Sequence, residues 1–375
     1  MNTTSLRRAL GPGVAAIALA ASLAACGSSS DTNSASGDSS TSAATGAGAS
    51  GLSGKVAAGG SSAQEKAQEA WRAGFGQANP DVTISYDPVG SGDGRANFIS
   101  GAYAFAGSDS PMTDDEIKQA TKTCGAAPIA FPVFISPIDV VFNLKGVKSL
   151  NLDAPTIAKI FSGQITKWND PAITSQNKGV SLPATAISPV HRSDSSGTTD
   201  NFTDYLYAAG KGAWKTPHSS DWPTTKGETG EGTSGVVGAV QGGQGTIGYA
   251  DDSGVKGTNL GVVKIKVGNT YVAPSAAGAA AGLAASKLTP GTPPTVMAYT
   301  INRTSTDPKT YPLFMASNEI ACPTYKDKTT AQIVKGFLTY MISAQGQKAA
   351  AANAYSAPLP ADIASKEAAL VAKIS

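Results

Sequence analysis

Segments rich in β-prone residues alternate along this chain with helical segments, and the junctions between them are short turns of Gly and Ser. Such turns occupy residues 59–62, 90–94 and 107–111, and a fourth, Ser-Ser-Gly-Thr, occupies residues 195–198. Strands and helices that alternate over short junctions are typical of α/β proteins. The sequence therefore predicts an α/β fold with mixed, mostly parallel sheets.

The periodicity of apolar residues places the individual elements. The predicted helices are a helix capped near Thr113 and residues 63–75, 95–101, 154–161, 198–209, 235–240, 276–285, 329–352 and 361–374. The predicted strands are residues 81–89, 103–106, 127–135, 139–144, 246–250 and 311–321, with a hairpin at 262–272 and a Gly-rich loop at 228–234. The two strands on either side of Ser136-Pro137 suit a chain that crosses between two lobes, and 311–321 suits the return crossing. A chain of 375 residues is long enough for two such lobes.

The first 25 residues have the pattern of an export signal. Arg7 and Arg8 precede an apolar run at 9–21, which is too short and too often interrupted by Gly and Pro for a convincing membrane span. Leu-Ala-Ala-Cys at 23–26 resembles the lipobox of bacterial lipoproteins, in which the cysteine becomes the lipidated first residue. An ordinary secretory signal is the alternative, but it leaves Cys26 without a purpose. We therefore predict a lipoprotein signal peptide at 1–25 and an extracytoplasmic protein, anchored through Cys26 to the outer face of the cell membrane.

Residues 26–54 consist almost entirely of small and polar residues. Ser, Gly, Ala and Thr dominate this segment, and large apolar residues are nearly absent. A segment of this composition cannot bury enough apolar surface to order itself. We predict a flexible tether between the anchor and the folded part, which opens near Lys55.

The charge balance excludes one broad class of partner. Beyond residue 25 the chain carries 27 basic and 27 acidic residues, because the two further basic residues, Arg7 and Arg8, lie in the signal segment. A nucleic-acid-binding protein would need a basic face, whereas a protein that binds small anions needs only a local positive site. We therefore expect no nucleic-acid partner.

Cysteine and histidine are too rare for a metal centre. Only His191 and His218 are present, and Cys124 and Cys322 remain once Cys26 is assigned to the anchor. Two cysteines in an oxidising compartment favour a disulfide, with two buried free thiols as the alternative. We predict no metal and no cofactor.

The segment Val-His-Arg-Ser-Asp-Ser-Ser-Gly-Thr-Thr at 190–199 combines several means of binding an oxyanion. Arg192 offers a planar fork of N–H donors, and Asp194 is placed to hold that guanidinium from the far side. Ser196, Gly197 and Thr198 open a helix, whose unpaired N–H groups and positive dipole end favour an anion. The alternative is a capped helix beside a surface Arg–Asp pair.

Two other junctions strengthen the anion-binding interpretation. Residues 59–62 end at Ser62 before a helix, and residues 90–94 contain Ser91 before another. The second junction is not a P-loop, because Arg-Ala follows Gly94. Asp109 follows a strand in the third junction, and ligands of α/β proteins collect at the carboxyl ends of strands. An Asp that starts a turn before Pro111 is the alternative there.

A hydrolase is a possible rival because His191, Asp194 and Ser196 are residue types of a catalytic triad. A separation of five residues hardly lets them align as base, orienter and nucleophile, and the Gly-x-Ser-x-Gly elbow is missing. We therefore predict that the protein is not an enzyme.

The motifs, taken in order, resemble the phosphate-binding protein of the bacterial high-affinity phosphate ABC transporter (the PstS family). They are Gly-Gly-Ser-Ser, Gly-Ser-Gly-Asp-Gly, Gly-Ser-Asp-Ser-Pro-Met, Phe-Ser-Gly-Gln-Ile-Thr-Lys-Trp-Asn-Asp, His-Arg-Ser-Asp-Ser-Ser-Gly-Thr and Gly-Thr-Ile-Gly-Tyr, and they span roughly residues 55–360. The resemblance implies a two-lobed periplasmic-binding-protein fold of type II-like form, with a hinge of two crossing strands that closes on one dehydrated phosphate. Lobe I would comprise 55–134 and 311–375, and lobe II would comprise 135–310.

The resemblance also implies a set of phosphate-binding residues. The side chains and N–H groups that would face the anion are those of Ser62, Ala63, Ser91, Asp109, Arg192, Ser196, Gly197 and Thr198, with Asp194 bracing the arginine. The family usually has Thr, a bulky residue and Pro where this chain has Ser62-Ala63-Gln64, so the first position keeps its hydroxyl but loses a methyl group. Cys124 and Cys322 would both fall in lobe I, where a disulfide would join its early and late halves. The implied partners are phosphate and an ABC permease with its ATPase, and the protein would be a monomer.

Asp109 bears on which anion is bound. An ionised carboxylate only accepts hydrogen bonds, so its ligand must supply a proton. Hydrogen phosphate has one near neutral pH and sulfate does not, so sulfate would leave two acceptors facing each other. A binder of sulfate or molybdate is therefore disfavoured, and an adhesin or phosphate sensor that keeps the fold without transport is a further alternative.

Overall fold

The computed structural model describes residues 51–375, and the predictions for the signal peptide, Cys26 and nearly all of the tether lie outside this range. The strands, β1 to β13, are Gly54–Gly60, Val82–Asp87, Phe105–Ser108, Ile129–Phe142, Ser149–Leu152, Ser188–Arg192, Glu228–Gly230, Thr246–Asp251, Gly261–Val267, Thr270–Val272, Lys287–Leu288, Tyr299–Thr300 and Phe314–Ala321. The helices, α1 to α12, are Glu65–Ala78, Ser91–Ser100, Asp114–Cys124, Ala154–Phe161, Pro171–Thr174, Gly197–Ala209, Gly232–Gly242, Asp252–Val255, Ala276–Ala284, Lys328–Ile342, Ala344–Ala354 and Ala361–Val371. A 3-10 turn, Ser62–Gln64, leads into α1.

One mixed sheet runs through the molecule in the order β2-β1-β3-β13-β4-β8-β6-β7. Its two ends are parallel, because β1 pairs in parallel with β2 and β3, and β6 pairs in parallel with β7 and β8. Its centre is antiparallel, because β13 runs against β3 and β4, and β4 runs against β8 and β9. The predicted α/β class with a mixed sheet is confirmed. Parallel pairs do not predominate as expected, because antiparallel pairs run along β4, β13 and β9.

Strand β4 joins the two halves of the sheet. Residues 129–137 pair with β13, and residues 138–142 pair with β8. The sequence predicted two strands here, separated by Ser136-Pro137, and this is wrong because β4 is continuous. Pro137 lies where β4 changes partner, so its missing N–H falls between two ladders of hydrogen bonds. We call the part with β1–β3 and β13 the first half of the sheet, and the part with β5–β10 the second half.

Two other element predictions are corrected. Helix α2 begins at Ser91, not at 95, so most of the Gly-rich turn is already helical. The helix predicted at 329–352 is two helices, because Ser343 adopts an extended conformation and its Oγ accepts a hydrogen bond from the N–H of Gly346. A serine that caps a new helix in this way ends the preceding one. The predicted loop at 228–234 contains β7 and the start of α7.

Each half of the sheet has its own apolar core. The first core includes Trp71 of α1 and Phe337 of α10, and the second includes Trp168 and Phe202 of α6. Side chains of the return segment alternate between them: Tyr311, Leu313 and Met315 lie in the second core, whereas Phe314 and Ala316 lie in the first. This alternation follows from the two-residue period of a strand and leaves the return strand buried on both faces.

A disulfide joins Cys124 at the end of α3 to Cys322 just after β13, with the Cα atoms 5.2 Å apart. The predicted disulfide is therefore confirmed, and it links segments 198 residues apart in sequence beside the first half of the sheet. Within residues 51–375, no helix has the length and apolar character needed to cross a membrane.

Candidate functional site

A buried carboxylate, Asp109, lies directly after β3 and accepts hydrogen bonds from four hydroxyl groups. The hydroxyls of Ser61 and Ser317 donate to its Oδ1 at 2.5 and 2.6 Å. Those of Thr198 and Ser91 donate to Oδ2 at 3.2 and 3.5 Å. The four donors come from the residue after β1, from the middle of β13 and from the starts of α6 and α2, so Asp109 is the point where both halves of the molecule meet.

The charge on Asp109 is set by opposing effects. Burial raises the pKa of this carboxyl above its usual value, whereas the hydroxyls of Ser317 and Ser61, the charge of Arg192 and the hydroxyl of Thr198 lower it. The net pKa is raised, because desolvation is the largest of these effects. The carboxylate therefore depends on its hydroxyl donors to stay ionised.

Arg192, the last residue of β6, is buried and paired with Asp194. Its Nε donates to Asp194 Oδ1 at 2.7 Å, and its Nη2 donates to Oδ2. Asp194 also accepts a hydrogen bond from the N–H of Gly232, at 3.0 Å, at the start of α7. Burial opposes ionisation of Asp194, but the hydrogen bonds and charge of Arg192 outweigh it and lower the pKa of Asp194. A bidentate pair of this kind fixes the guanidinium and leaves Nη1 directed away from the carboxylate.

Helix α6 begins against Asp109. Ser196 caps the helix, because its Oγ accepts a hydrogen bond from the N–H of Thr199 at 3.2 Å. Gly197 follows, and a Cβ atom placed there would lie 2.7 Å from both Asp109 Cβ and Ser91 Oγ. Only glycine permits this approach, which brings the positive end of the α6 dipole to the carboxylate and to any anion bound beside it.

Ser62 and Ala63 directly follow Ser61, whose hydroxyl contacts Asp109. Ser62 Oγ accepts a hydrogen bond from the N–H of Thr233, at 3.1 Å, at the start of α7. The N–H of Ala63, which the family resemblance implies as an anion donor, donates to Ser61 Oγ at 3.1 Å. Ser62 therefore faces the second half of the molecule, and Ser61 faces Asp109.

Three further hydrogen bonds join the two halves around the site. The N–H of Gly92 donates to the carbonyl of Ser195 at 2.9 Å, and Asn201 Nδ2 donates to the carbonyl of Asp109 at 2.8 Å. Lys66 Nζ donates to the carbonyl of Ser253 at 2.6 Å. The structure thus brings all the residues of the predicted set to one buried region at the junction of the halves.

Sequence reasoning missed four residues of this region: Ser61, Thr233, Asn201 and Ser317. Ser61 was visible as the other serine of Gly-Gly-Ser-Ser, but the family pattern directed attention to Ser62. Ser317 lies in the middle of the apolar strand β13, with no motif around it. Its only signal was a run of three polar residues, 317–319, in a strand that is otherwise apolar.

The arrangement combines an arginine, the N-terminus of a helix of 13 residues and a carboxylate that accepts hydrogen bonds. Such a set of groups suits a small, compact oxyanion that carries at least one proton. Among residues 51–375, no group of three or more His, Cys, Asp or Glu side chains is placed to hold a metal ion.

Comparisons with known proteins agree with this fold. Residues 37–345 match the family model of the PBP superfamily domain. The chain is 36% identical over 338 residues to the phosphate-binding protein PstS2 of Mycobacterium bovis, which covers 87% of this chain and 90% of that protein. It is 34% identical over 364 residues to the phosphate-binding protein PstS 3 of Mycobacterium leprae, with coverages of 93% and 94%.

Two solved structures share the fold at low sequence identity. A periplasmic phosphate-binding protein (PfluDING) solved with bound phosphate matches with a TM-score of 0.67 at 22% identity, over 84% of this chain and 93% of that one. A phosphate-binding protein from Stenotrophomonas maltophilia matches with a TM-score of 0.65 at 21% identity, over 84% and 94%.

Proposed function

Because the chain belongs to the PstS family of phosphate-binding proteins within the PBP superfamily, we propose that it captures inorganic phosphate and delivers it to an ABC permease. The observation that carries this proposal is the convergence of Arg192, the start of α6 and Asp109 in one buried region. Arg192 and the start of α6 offer positive charge and N–H donors, and Asp109 offers an acceptor for a hydrogen bond from a protonated ligand. Its relatives are binding proteins by name, in line with the expectation that this chain is not an enzyme.

The proposed ligand contacts follow from the available donors. Arg192 supplies N–H groups from its guanidinium, which Asp194 holds in place. The 3-10 turn and the starts of α2 and α6 supply the remaining donors, through Ser62, Ala63, Ser91, Ser196, Gly197 and Thr198. Asp109 accepts a hydrogen bond from the O–H group of hydrogen phosphate and disfavours sulfate, which has no proton to donate.

We further propose that the binding unit has two lobes, 55–134 with 311–375 and 135–310, hinged at the two crossing strands. The two apolar cores, one for each half of the sheet, support this division. Ala279 and Leu283 of α9 pack in the first core although their sequence position assigns them to the second lobe. Helix α9 would therefore lie with lobe I during closure.

The attachment to the membrane belongs to the same proposal. Cleavage after residue 25 would leave Cys26 as a lipidated first residue at the outer face of the cell membrane, and residues 26–54 would tether a monomeric binding unit. The family assignment supports an extracytoplasmic location, and the Leu-Ala-Ala-Cys sequence supports the anchor.

Equilibrium dialysis of the phosphate-depleted protein against labelled phosphate tests the function. We expect one phosphate per chain and no displacement by a large excess of sulfate. Displacement by sulfate at comparable concentration would contradict the assigned selectivity, and absence of phosphate binding would contradict the function itself.

A further inference from the structure

A chain of buried polar side chains leads from Asp109 into the first half of the molecule. Ser317 Oγ donates to Asp109 Oδ1 at 2.6 Å and accepts a hydrogen bond from Gln64 Nε2 at 2.7 Å. Gln64 Oε1 accepts a hydrogen bond from Gln68 Nε2 at 2.9 Å, and Gln68 Nε2 also donates to Glu319 Oε1 at 2.8 Å. All these side chains are fully buried or nearly so, and none beyond Asp109 has a role in the proposed binding set.

The orientation of the Gln64 amide follows from its neighbours. Nε2 also lies 3.2 Å from the carbonyl oxygen of Asn318, which can only accept a hydrogen bond. The oxygen end, Oε1, faces the Nε2 of Gln68, which can only donate. The amide therefore presents a donor, and not an acceptor, to Ser317.

This orientation determines the direction of the Ser317 hydroxyl. A serine has one proton to donate, and its oxygen here accepts from Gln64. The hydroxyl proton of Ser317 therefore points to Asp109 Oδ1 and forms the hydrogen bond between them. Gly107 makes room for the amide that enforces this, since a Cβ atom there would lie 2.8 Å from Gln64 Oε1.

Ser61 is oriented by the same logic. Its Oγ accepts hydrogen bonds from the N–H groups of Ala63 and Gln64, at 3.1 and 3.4 Å, so its proton is also directed to Asp109 Oδ1, at 2.5 Å. Gln64 thus acts on both hydroxyls, on one through its backbone and on the other through its side chain. Oδ1 of Asp109 therefore accepts hydrogen bonds from two hydroxyls, those of Ser61 and Ser317, whose direction the protein fixes.

We propose that Gln64 and Ser317 are specificity-determining positioning residues of the anion site. They direct hydroxyl protons to Oδ1 of Asp109 at 2.5 and 2.6 Å, which stabilises its ionised form. Oδ2, whose own hydroxyl donors Thr198 and Ser91 are more distant at 3.2 and 3.5 Å, is then the atom that accepts a hydrogen bond from the protonated ligand. This inference rests on the proposed function, because it refines how the same site distinguishes a protonated anion from an unprotonated one.

The consequence is a dependence of anion choice on the protonation of Asp109. Sulfate can bind only when Asp109 is itself protonated and can donate, so its affinity follows the protonated fraction of that carboxyl. Removal of a hydroxyl donor raises the pKa of Asp109 and increases this fraction. The other charged or titratable groups that act on Asp109 or are acted on by it are Arg192, Asp251, Glu319 and Tyr86.

The test is the pH profile of sulfate affinity in the full chain, measured by competition against labelled phosphate. In Ser317→Ala we expect the pH at which sulfate affinity falls to rise by about one unit. At a fixed pH above the pKa of Asp109, this rise is equivalent to a gain of about tenfold in sulfate affinity. Ser136→Ala is the matched control. Ser136 is an equally buried serine on the adjoining strand β4, and its hydroxyl donates to the carbonyl of Pro137 and not to Asp109.

Gln64→Met provides a second variant, which keeps the Ser317 hydroxyl but removes the donor that orients it. A shift in the same direction as in Ser317→Ala, with none in Ser136→Ala, supports the inference. An unshifted profile in Ser317→Ala, or in Gln64→Met if the first variant does not fold, overturns it, and so does an equal shift in Ser136→Ala. Either result leaves the proposed function standing as long as the wild-type protein binds phosphate. A wild-type protein without phosphate affinity overturns the function itself.

Discussion

Asp109 illustrates how much of an anion site can depend on one carboxyl group and its protons. Desolvation raises the pKa of this carboxyl and so favours its neutral form, whereas the hydroxyl donors and the charge of Arg192 favour the ionised form. A neutral acid donates a hydrogen bond, whereas a carboxylate accepts one. The same side chain would therefore select opposite ligands in its two states.

The substitution Asp109→Asn tests this directly. An asparagine is nearly the same size, and its amide can donate to an unprotonated oxyanion. We expect the preference for phosphate over sulfate to fall by at least about tenfold, since one unpaired buried contact costs about 1–3 kcal/mol. Competition titration of sulfate against bound phosphate measures the change, and an unaltered preference would refute the role given to Asp109.

At the scale of single residues, the sequence indicated the groups that bear charge. Arg192, Asp194 and Asp109 stand in motifs with recognisable spacing. The structure buries Asp109 and Arg192 in one region and places the half-buried Asp194 against Arg192. Ser61 and Ser317 escaped prediction for different reasons. Ser61 stands beside the family position, and Ser317 reaches the site only because β13 pairs with β3, which is a long-range contact that no local pattern encodes.

At the scale of elements, the local pattern was reliable for α4 and failed where tertiary pairing or a serine cap inside a predicted helix decided. Helix α4 has the predicted bounds, with Asp153 as its cap and Pro155 in its first turn. The break at Ser136-Pro137 was wrong, because pairing with β13 and then β8 keeps β4 extended across both residues. The start of α2 was predicted four residues too late for a similar reason. Glycine weakens a helix on average, but the tertiary contacts of this junction override that preference.

Helix α12 has a buried acidic residue that should make the stability of the protein depend on pH. Both carboxyl oxygens of Glu367 are buried and, among the described residues, have no hydrogen-bond partner. Burial raises the pKa of Glu367 to about 9. The folded state therefore holds a proton that the unfolded state releases, so this contribution to stability is full below about pH 4.5 and is lost as pH rises toward 9.

We expect Glu367→Gln to remove most of this loss, because the amide stays neutral at every pH. Its free energy of unfolding should exceed that of the wild type by about 4 kcal/mol more at about pH 8 than at about pH 5, since each of the three pH units contributes about 1.4 kcal/mol. Urea denaturation at the two pH values measures the difference. Glu69→Gln, at an exposed position of α1, is the control, and a pH-independent difference for Glu367→Gln would contradict the assignment of a neutral acid.

At the scale of the whole molecule, two cores share one sheet and one disulfide reinforces a single half of it. Cys124 and Cys322 pack with α2, α3 and β13, on the side of the first core. The covalent link therefore restrains the first half without joining it to the second. The α/β fold with a mixed sheet was predictable from the alternation of strands and helices and from the family motifs, whereas the antiparallel centre of the sheet required the pairing of distant strands.

Reduction of the disulfide should lower stability without lowering phosphate affinity. A loop of this length confers about 2–5 kcal/mol through restriction of the unfolded chain. We expect a thermal midpoint that falls on reduction, and in Cys124→Ala/Cys322→Ala, while calorimetric phosphate affinity changes by less than about threefold. A large loss of affinity in the folded, reduced protein would place the disulfide in the binding mechanism, contrary to this account.

The most direct test of the central claim is calorimetric titration of phosphate into the wild-type protein and into Arg192→Ala. We predict tight one-to-one binding in the first, and in the second a loss of about 2–5 kcal/mol in binding free energy, because Asp194 is left buried without its partner and the anion loses its guanidinium. Lys118→Ala, which removes an exposed positive charge on α3, should bind like the wild type. Phosphate binding by Arg192→Ala with wild-type affinity would show that the buried region around Arg192 and Asp109 is not where the anion binds.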